Sequence, residues 1–274
     1  MKIIKNSIKK VRKFLVKNIF LSLFIAIIAF VGFVVVFRML TAQPEYIYAK
    51  IKVSQGLWWA NTAKPSIWLA ESIQKGDVEK SLTGKPVVEV LEVRRYPWWG
   101  SDEFLVYITA KLEVSKNMKI GKYSFKRSAI GVGSPVDFEL SNAQISGTIT
   151  ALSEQPFPHN ESMKEVTFIK KWAEPWEFDA IQVGDKFNNG EEDVFEIIDK
   201  KIAYAQAEYV PRLGYNYPSY SEPKVHITVT AKILVREENN TIIFGEDQVL
   251  RLGKELNLST EKYTFTDYLV SEIH

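Results

Sequence analysis

The chain has 274 residues, no cysteine, and 35 Lys+Arg against 33 Asp+Glu. Lack of cysteine excludes disulfides, a thiol nucleophile and a thiolate metal site. The charge is uneven: eight cations lie at or before Arg38, leaving 27 cations against 33 acids beyond it, a net −6, which suits that part poorly to holding nucleic acid phosphates or an anionic membrane surface.

The first elements are a basic tail and an apolar run. Lys2, Lys5, Lys9, Lys10, Arg12, Lys13 and Lys17 occur with no acid among them, and the stretch Ile19 to Phe37 is uncharged and closed by Arg38. About 20 apolar residues span the ~30 Å hydrocarbon core as a helix, and Lys/Arg excess marks the cytoplasmic side. The reading is a cytoplasmic tail over 1–18, a transmembrane helix over 19–38, and everything after Ala42 outside. A signal peptide cleaved after Thr41-Ala42 is the alternative; its apolar region would ordinarily be only about 7–15 residues. Ser22 and Gly32 form no small-xxx-small pair, so the span carries no strong helix-dimerisation signal.

The outer part repeats itself. Ile73-Gln74-Lys75-Gly76-Asp77 recurs as Ile181-Gln182-Val183-Gly184-Asp185, and Val87 to Glu92 as Val194 to Asp199. Ile108 to Leu112 recurs as Val229 to Ile233, and Ile130-Gly131-Val132-Gly133 as Leu250-Arg251-Leu252-Gly253. Pro65 to Trp68 and Pro175-Trp176 open the two copies. The Pro-rich polar stretch 154–163 reads as a linker between a proximal β domain, 45–153, and a distal one, 164–274.

Within each copy the period is two. Phe104, Val106, Ile108, Ala110, Leu112 and Val114 alternate with mostly polar residues, as do Val225, Ile227, Val229, Ala231, Ile233 and Val235. Such alternation predicts half-buried antiparallel strands. Lys116-Asn117 and Glu238-Asn239-Asn240 are the expected turns, and Gly76-Asp77 and Gly184-Asp185 lead into the following strands. A short helix is expected around Trp68–Ile73 in the proximal copy, with a counterpart in the distal one. The expected fold is mainly β: an N-terminal transmembrane helix, then two tandem small barrel- or sandwich-like domains of five or six strands, related by internal duplication.

The order of these features resembles a bacterial single-pass membrane family known as domain of unknown function 4330. The matching residues are Gly76-Asp77, Gly84, Val132-Gly133-Ser134-Pro135-Val136 and Gly147-Thr148-Ile149, with the likeness running from Ala42 to about Leu152. The distal copy departs from it: Leu252-Gly253-Lys254-Glu255-Leu256 has no Pro, and Thr266-Asp267 replaces Gly147-Thr148. The resemblance implies a β-rich module outside the membrane and no catalytic residue.

Candidate chemistry is sparse. His159, His226 and His274 have no partners at zinc-ligand or triad spacing. Asp185, Asn189, Gly190 and Glu196 fall on positions 1, 5, 6 and 12 of an EF-hand-type loop, but Phe187 stands at position 3, so an acidic hairpin turn is expected instead. The neighbouring acids Asp102-Glu103 and Glu237-Glu238 would point to opposite faces of a strand. No catalytic residue, metal or cofactor is therefore assigned. The strongest remaining signal is aromatic: Trp58, Trp59, Trp98 and Trp99 beside turns, and Tyr215, Tyr217 and Tyr220 in a Pro/Gly loop, suited to packing or to a partner surface. The functional expectation is a non-enzymatic, membrane-anchored extracytoplasmic binding or assembly module of the cell envelope, with an envelope protein or a second copy as partner and no nucleic acid. An adaptor subunit of a transporter or lipid/polymer export system, and a polysaccharide-binding surface protein, are the alternatives.

Overall fold

The computed structural model describes residues 19–41, 45–54, 64–98, 102–117, 121–204 and 224–274. They belong to two compact units, Met1–Glu45 and Tyr46–His274. In the first, helix α1 covers Ile19–Thr41, 23 residues, or about 35 Å at ~1.5 Å per residue. Taken over the residues whose side chains are described, no helix is long and apolar enough to cross a membrane; the longest such stretch of α1 is 22–34.

The second unit is mainly β and built from curled antiparallel sheets. Its proximal half contains β1 (Glu45–Ser54), helix α2 (Ile67–Ser72), β2 (Val78–Lys80), β3 (Pro86–Pro97), β4 (Phe104–Asn117), β5 (Lys122–Phe125), β6 (Ser128–Ile130), β7 (Pro135–Glu139) and β8 (Gln144–Ser153). The distal half contains β9 (Glu161–Ala173), helix α3 (Pro175–Ala180), β10 (Lys186–Asn188), β11 (Asp193–Tyr204), β12 (Val225–Glu238), β13 (Thr241–Phe244), β14 (Gln248–Val249), β15 (Leu258–Ser259), β16 (Thr264–Phe265) and β17 (Leu269–Ile273). The proximal sheet runs β2-β3-β4-β1-β8-β7, with β5 and β6 extending from β4. In the distal sheet β10-β11-β12 continues to β9 and then β17, with β13 and β14 extending from β12.

The two halves match down to single hydrogen bonds. Gly76 N–H donates to Val90 O at 2.8 Å and Val90 N–H to Asp77 O at 2.9 Å; Gly184, Ile197 and Asp185 repeat this at 2.8 and 3.0 Å. Both glycines have positive φ, +87° and +91°, which only Gly adopts without strain. The next strand bulges at the same place, Leu91 in β3 and Ile198 in β11. A second bulge falls at Thr150 against β1 and at Ser271 against β9. There Thr150 Oγ1 donates to Lys50 O at 3.2 Å and Ser271 Oγ to Thr167 O at 3.0 Å.

Alternation along the long strands buries one face of each sheet, as the period-two pattern requires. Ala49, Ile51, Val106, Ile108, Ala110 and Leu112 anchor the proximal core, and Phe168, Phe195, Val229, Ala231, Ile233 and Phe265 the distal one. The distal core also takes in Tyr96, Leu105 and Tyr107 from the proximal strands, so the halves share buried surface.

Some expectations are corrected. Lys116 and Asn117 are not a turn: they pair with Tyr123 and Lys122 in the β4–β5 ladder, and Gly121, at φ +64°, leads into β5. Polar residues at a solvated strand end resemble turn residues in sequence, which explains the misplacement. In the distal half the turn is Asn239-Asn240, both at positive φ. Strands outnumber the expected five or six per half because pieces such as β2, β6 and β14 are two or three residues long and carry no periodicity. β9 begins at Glu161, inside the stretch read as linker; none of its first five residues is fully buried, so they show no apolar alternation.

Candidate functional site

Strand β3 carries Arg94-Arg95-Tyr96 across the seam between the halves. Successive strand residues point to opposite faces, so the run reaches three different environments. Arg94 is 7% exposed and binds Glu161 through both Nη atoms at 2.5 and 3.1 Å. Its Nη1 also meets Glu246 at 3.1 Å, and Glu192 lies 3.4 Å from Nη2. Arg236 at 3.3 Å and Lys50 at 3.0 Å complete the charge around Glu246. Burial alone would lower the Arg94 pKa, but the Glu161 and Glu246 carboxylates outweigh it and raise it. Burial pushes Glu161 up, yet the Arg94 guanidinium wins and holds it below the usual carboxylate range. Glu192 is pushed up, by burial first and by the Glu161 charge second.

Arg95 turns toward the end of α2, donating from Nε to Ala70 O at 2.8 Å and from Nη2 to Ile73 O. These are the orphan carbonyls of a helix end. Lys200 repeats the arrangement in the distal half, donating to Phe178 O and Ile181 O at 2.8 and 2.6 Å.

Tyr96 enters the distal core. Its ring covers Gly245 and meets Phe244 edge-on at 5.9 Å. Its hydroxyl accepts from Asn189 Nδ2 at 3.2 Å, and burial raises its pKa. Asn189 sits in the β10–β11 turn and joins the halves again: its carbonyl accepts from Arg95 N–H at 2.8 Å. Its Oδ1 accepts from the Glu191 and Glu192 amides at 2.9 and 3.0 Å. The next residue is Gly190, at φ +104°, where a Cβ would lie 2.7 Å from Arg95 Nη1 and 3.0 Å from Val93 O. The stretch with EF-hand-like spacing is thus a hairpin turn that seats against β3.

Beside this turn lies a groove of about 640 Å3, with Glu71 and Lys75 on one wall, Phe187 and Asn188 on the other, and Arg95 among its lining. Lys75 and Glu191 pair at 2.9 Å near its mouth. A second crevice is lined by His159, whose Nε2 lies 3.4 Å from Glu92 Oε1. Among the described residues no group of three or more His, Asp or Glu is placed to hold a metal ion. The seam's charges are spent on each other, so what it does chemically is lock two sheets together.

Of the aromatic residues singled out in the sequence, Trp98 is half-buried against the distal core, with Lys64 Nζ 3.8 Å from its ring centre. Trp58, Trp59, Trp99, Tyr215, Tyr217 and Tyr220 lie outside the described residues. Two other tryptophans stand out: Trp68 and Trp176, each the second residue of its short helix, are 62% and 61% exposed. Their matching place in the repeat was the only sequence signal for them. Arg94 gave none, since a charged doublet on a strand reads as solvated.

No family model, no curated protein and no solved structure matches this chain.

Proposed function

We propose that the protein is a non-enzymatic, membrane-anchored binding or assembly module of a bacterial cell envelope. In this reading α1 and the basic residues before it form a single-pass anchor with the N-terminus in the cytoplasm, and the β unit stands outside. The anchor rests on the length of α1 and the uncharged run Ile19 to Phe37; the bacterial setting rests on the proximal half's resemblance to the 4330 family. The halves are read as copies of one ancestral module, supported by the matched bulges and glycine turns.

The observation that carries the assembly role is the locked seam. With Tyr96 in the distal core and Arg94 bound to Glu161 and Glu246, the double module presents a fixed surface, and partners that dock on preformed surfaces avoid the ordering cost of flexible ones. The test is crosslinking in intact cells, followed by extraction of the full chain in mild detergent and measurement of native size. A crosslinked neighbour and a complex larger than the monomer are expected; a lone monomer without neighbours overturns the assembly role. Protease added to spheroplasts should digest the β unit, and its survival there would refute the topology.

A further inference from the structure

The halves differ at one hairpin, and the difference opens a cleft. In the proximal half Phe138 pairs with Ile145 and Glu139 with Gln144; in the distal half Leu258 pairs with Phe265 and Ser259 with Thr264. The turn is closed alike, by Leu140 N–H to Ala143 O at 2.9 Å and by Thr260 N–H to Tyr263 O at 2.8 Å. Ala143 therefore stands where Tyr263 stands. The neighbouring short helices align too, so that Trp68 matches Trp176 and Leu69 matches Glu177.

In the distal half this place is filled. The Tyr263 ring is 8% exposed, meets Trp176 edge-on at 6.5 Å, and donates its hydroxyl to Glu177 Oε2 at 2.6 Å. Lys170 neutralises Glu177 at 2.6 Å. In the proximal half Ala143 leaves a cleft of about 430 Å3, within the ~300–1,000 Å3 of small-molecule sites.

Its lining is chemically narrow. Trp68 offers an exposed ring, Leu69 and Ala143 an apolar base, and Ser54, Ser72, Asn142, Gln144 and Ser146 neutral polar groups; among the described residues no charged side chain lines it. Asn142 spends Nδ2 on Asp77 at 3.1 Å, which leaves Oδ1 as an acceptor. Among the described residues the Gln144 side chain makes no hydrogen bond and is exposed. An exposed indole face, electron-rich at its centre, suits the slightly positive C–H face of a pyranose ring. Ser54, Ser72 and Ser146 already donate to Ser146 O, Leu69 O and Asp137 Oδ1, so their hydroxyls remain as acceptors, while the Gln144 amide offers both donor and acceptor; this set suits the sugar hydroxyls.

We propose that this cleft binds a neutral saccharide, one ring stacked on Trp68 and its hydroxyls held by Asn142 and Gln144. The proposal names a ligand class for the binding module proposed above and rests on that reading. The full chain in detergent, titrated with chitotetraose and with cellotetraose by saturation-transfer NMR, should bind at least one of them. Trp68→Ala should weaken binding at least tenfold. Ala143→Tyr, which gives the proximal turn the residue the distal turn already folds with, should abolish it. Trp176→Ala should leave it unchanged. Binding by neither oligosaccharide, or undiminished binding by both Trp68→Ala and Ala143→Tyr, overturns the proposal. Loss of the crosslinked neighbour in Trp68→Ala, with no saccharide bound by the parent chain, reassigns the cleft to a protein contact. Saccharide binding by a chain that purifies as a monomer without neighbours keeps the cleft and removes only the assembly role.

Discussion

The proximal and distal halves share strand order, bulge positions and glycine turns, yet they invest differently around their short helices. The distal half completes its apolar interior with a cluster of aromatic rings, Tyr263, Phe265 and Tyr268, with centres 5.0 to 6.3 Å apart, and buries an ion pair beneath them. The proximal half puts Leu69 and Ala143 in the corresponding places and leaves a cleft there, although Trp68 and Trp176 are equally exposed. The frame is thus set by backbone features, the bulges and positive-φ glycines, while the side chains laid over it are free to diverge. One copy consolidates and the other keeps a hollow.

The comparison breaks most readily at the joint. Arg94→Met leaves Glu161, Glu192 and Glu246 facing one another with their shared cation gone, and should cost about 3–5 kcal/mol. Urea unfolding of the full chain in detergent reads it. If the halves depend on each other, one cooperative transition moves to lower urea; two separate transitions would show that each half stands alone. Tyr263→Ala comes next. It should cost about 3 kcal/mol from the buried ring and its cavity, and it should open the distal turn like the proximal one, visible as loss of near-ultraviolet circular dichroism from the Trp176, Tyr263 and Phe265 rings. Gly147→Ala follows: a Cβ there would sit 2.6 Å from Ile51 Cγ2 and 2.8 Å from Lys52 O, for a loss of about 1–3 kcal/mol. Only the proximal half should lose amide protection first.

Acid sharpens the picture of the seam. The depressed pKa of Glu161 contributes stability that is present above the unfolded carboxylate value of about 4.3 and is lost as pH falls through the lower folded value. Glu192 has the opposite sign: its pKa is raised, so its ionisation costs stability at neutral pH, and the cost is relieved as pH falls toward the unfolded value. The urea midpoint should hold or rise slightly between pH 7 and 5 and then fall steeply below about 4.3. Glu161→Gln should flatten that fall, and Glu192→Gln should raise the midpoint at pH 7. The smallest effect belongs to Lys75→Ala. Its partner Glu191 pairs with a Lys75 side chain that is 63% exposed, and solvent screens such pairs so far that the urea midpoint should barely move.

What could be read in the sequence followed from repetition and length. Phe104 to Val114 and Val225 to Val235 alternate over enough residues to mark a half-buried strand, and β4 and β12 form there. The Gly-Asp turns were legible because few residues adopt positive φ. Short strands were not, since two or three residues carry no period. The seam was hidden for a different reason. Arg94 lies under carboxylates from Glu161, Glu192 and Glu246, far apart in sequence, and no local pattern announces that a cation will be neutralised by them. The proximal cleft was hidden because it depends on a residue that is missing, and Ala143 reads as an unremarkable turn residue until Tyr263 is laid over it.

In both halves the chain arrives and departs on neighbouring antiparallel strands, Tyr48 opposite Ser153 in one and Val166 opposite Ile273 in the other. A module whose two ends meet can be spliced next to a twin without rethreading either, because the added copy needs only a short bridge from one doorway to the next. Arrays of such modules can lengthen one bead at a time.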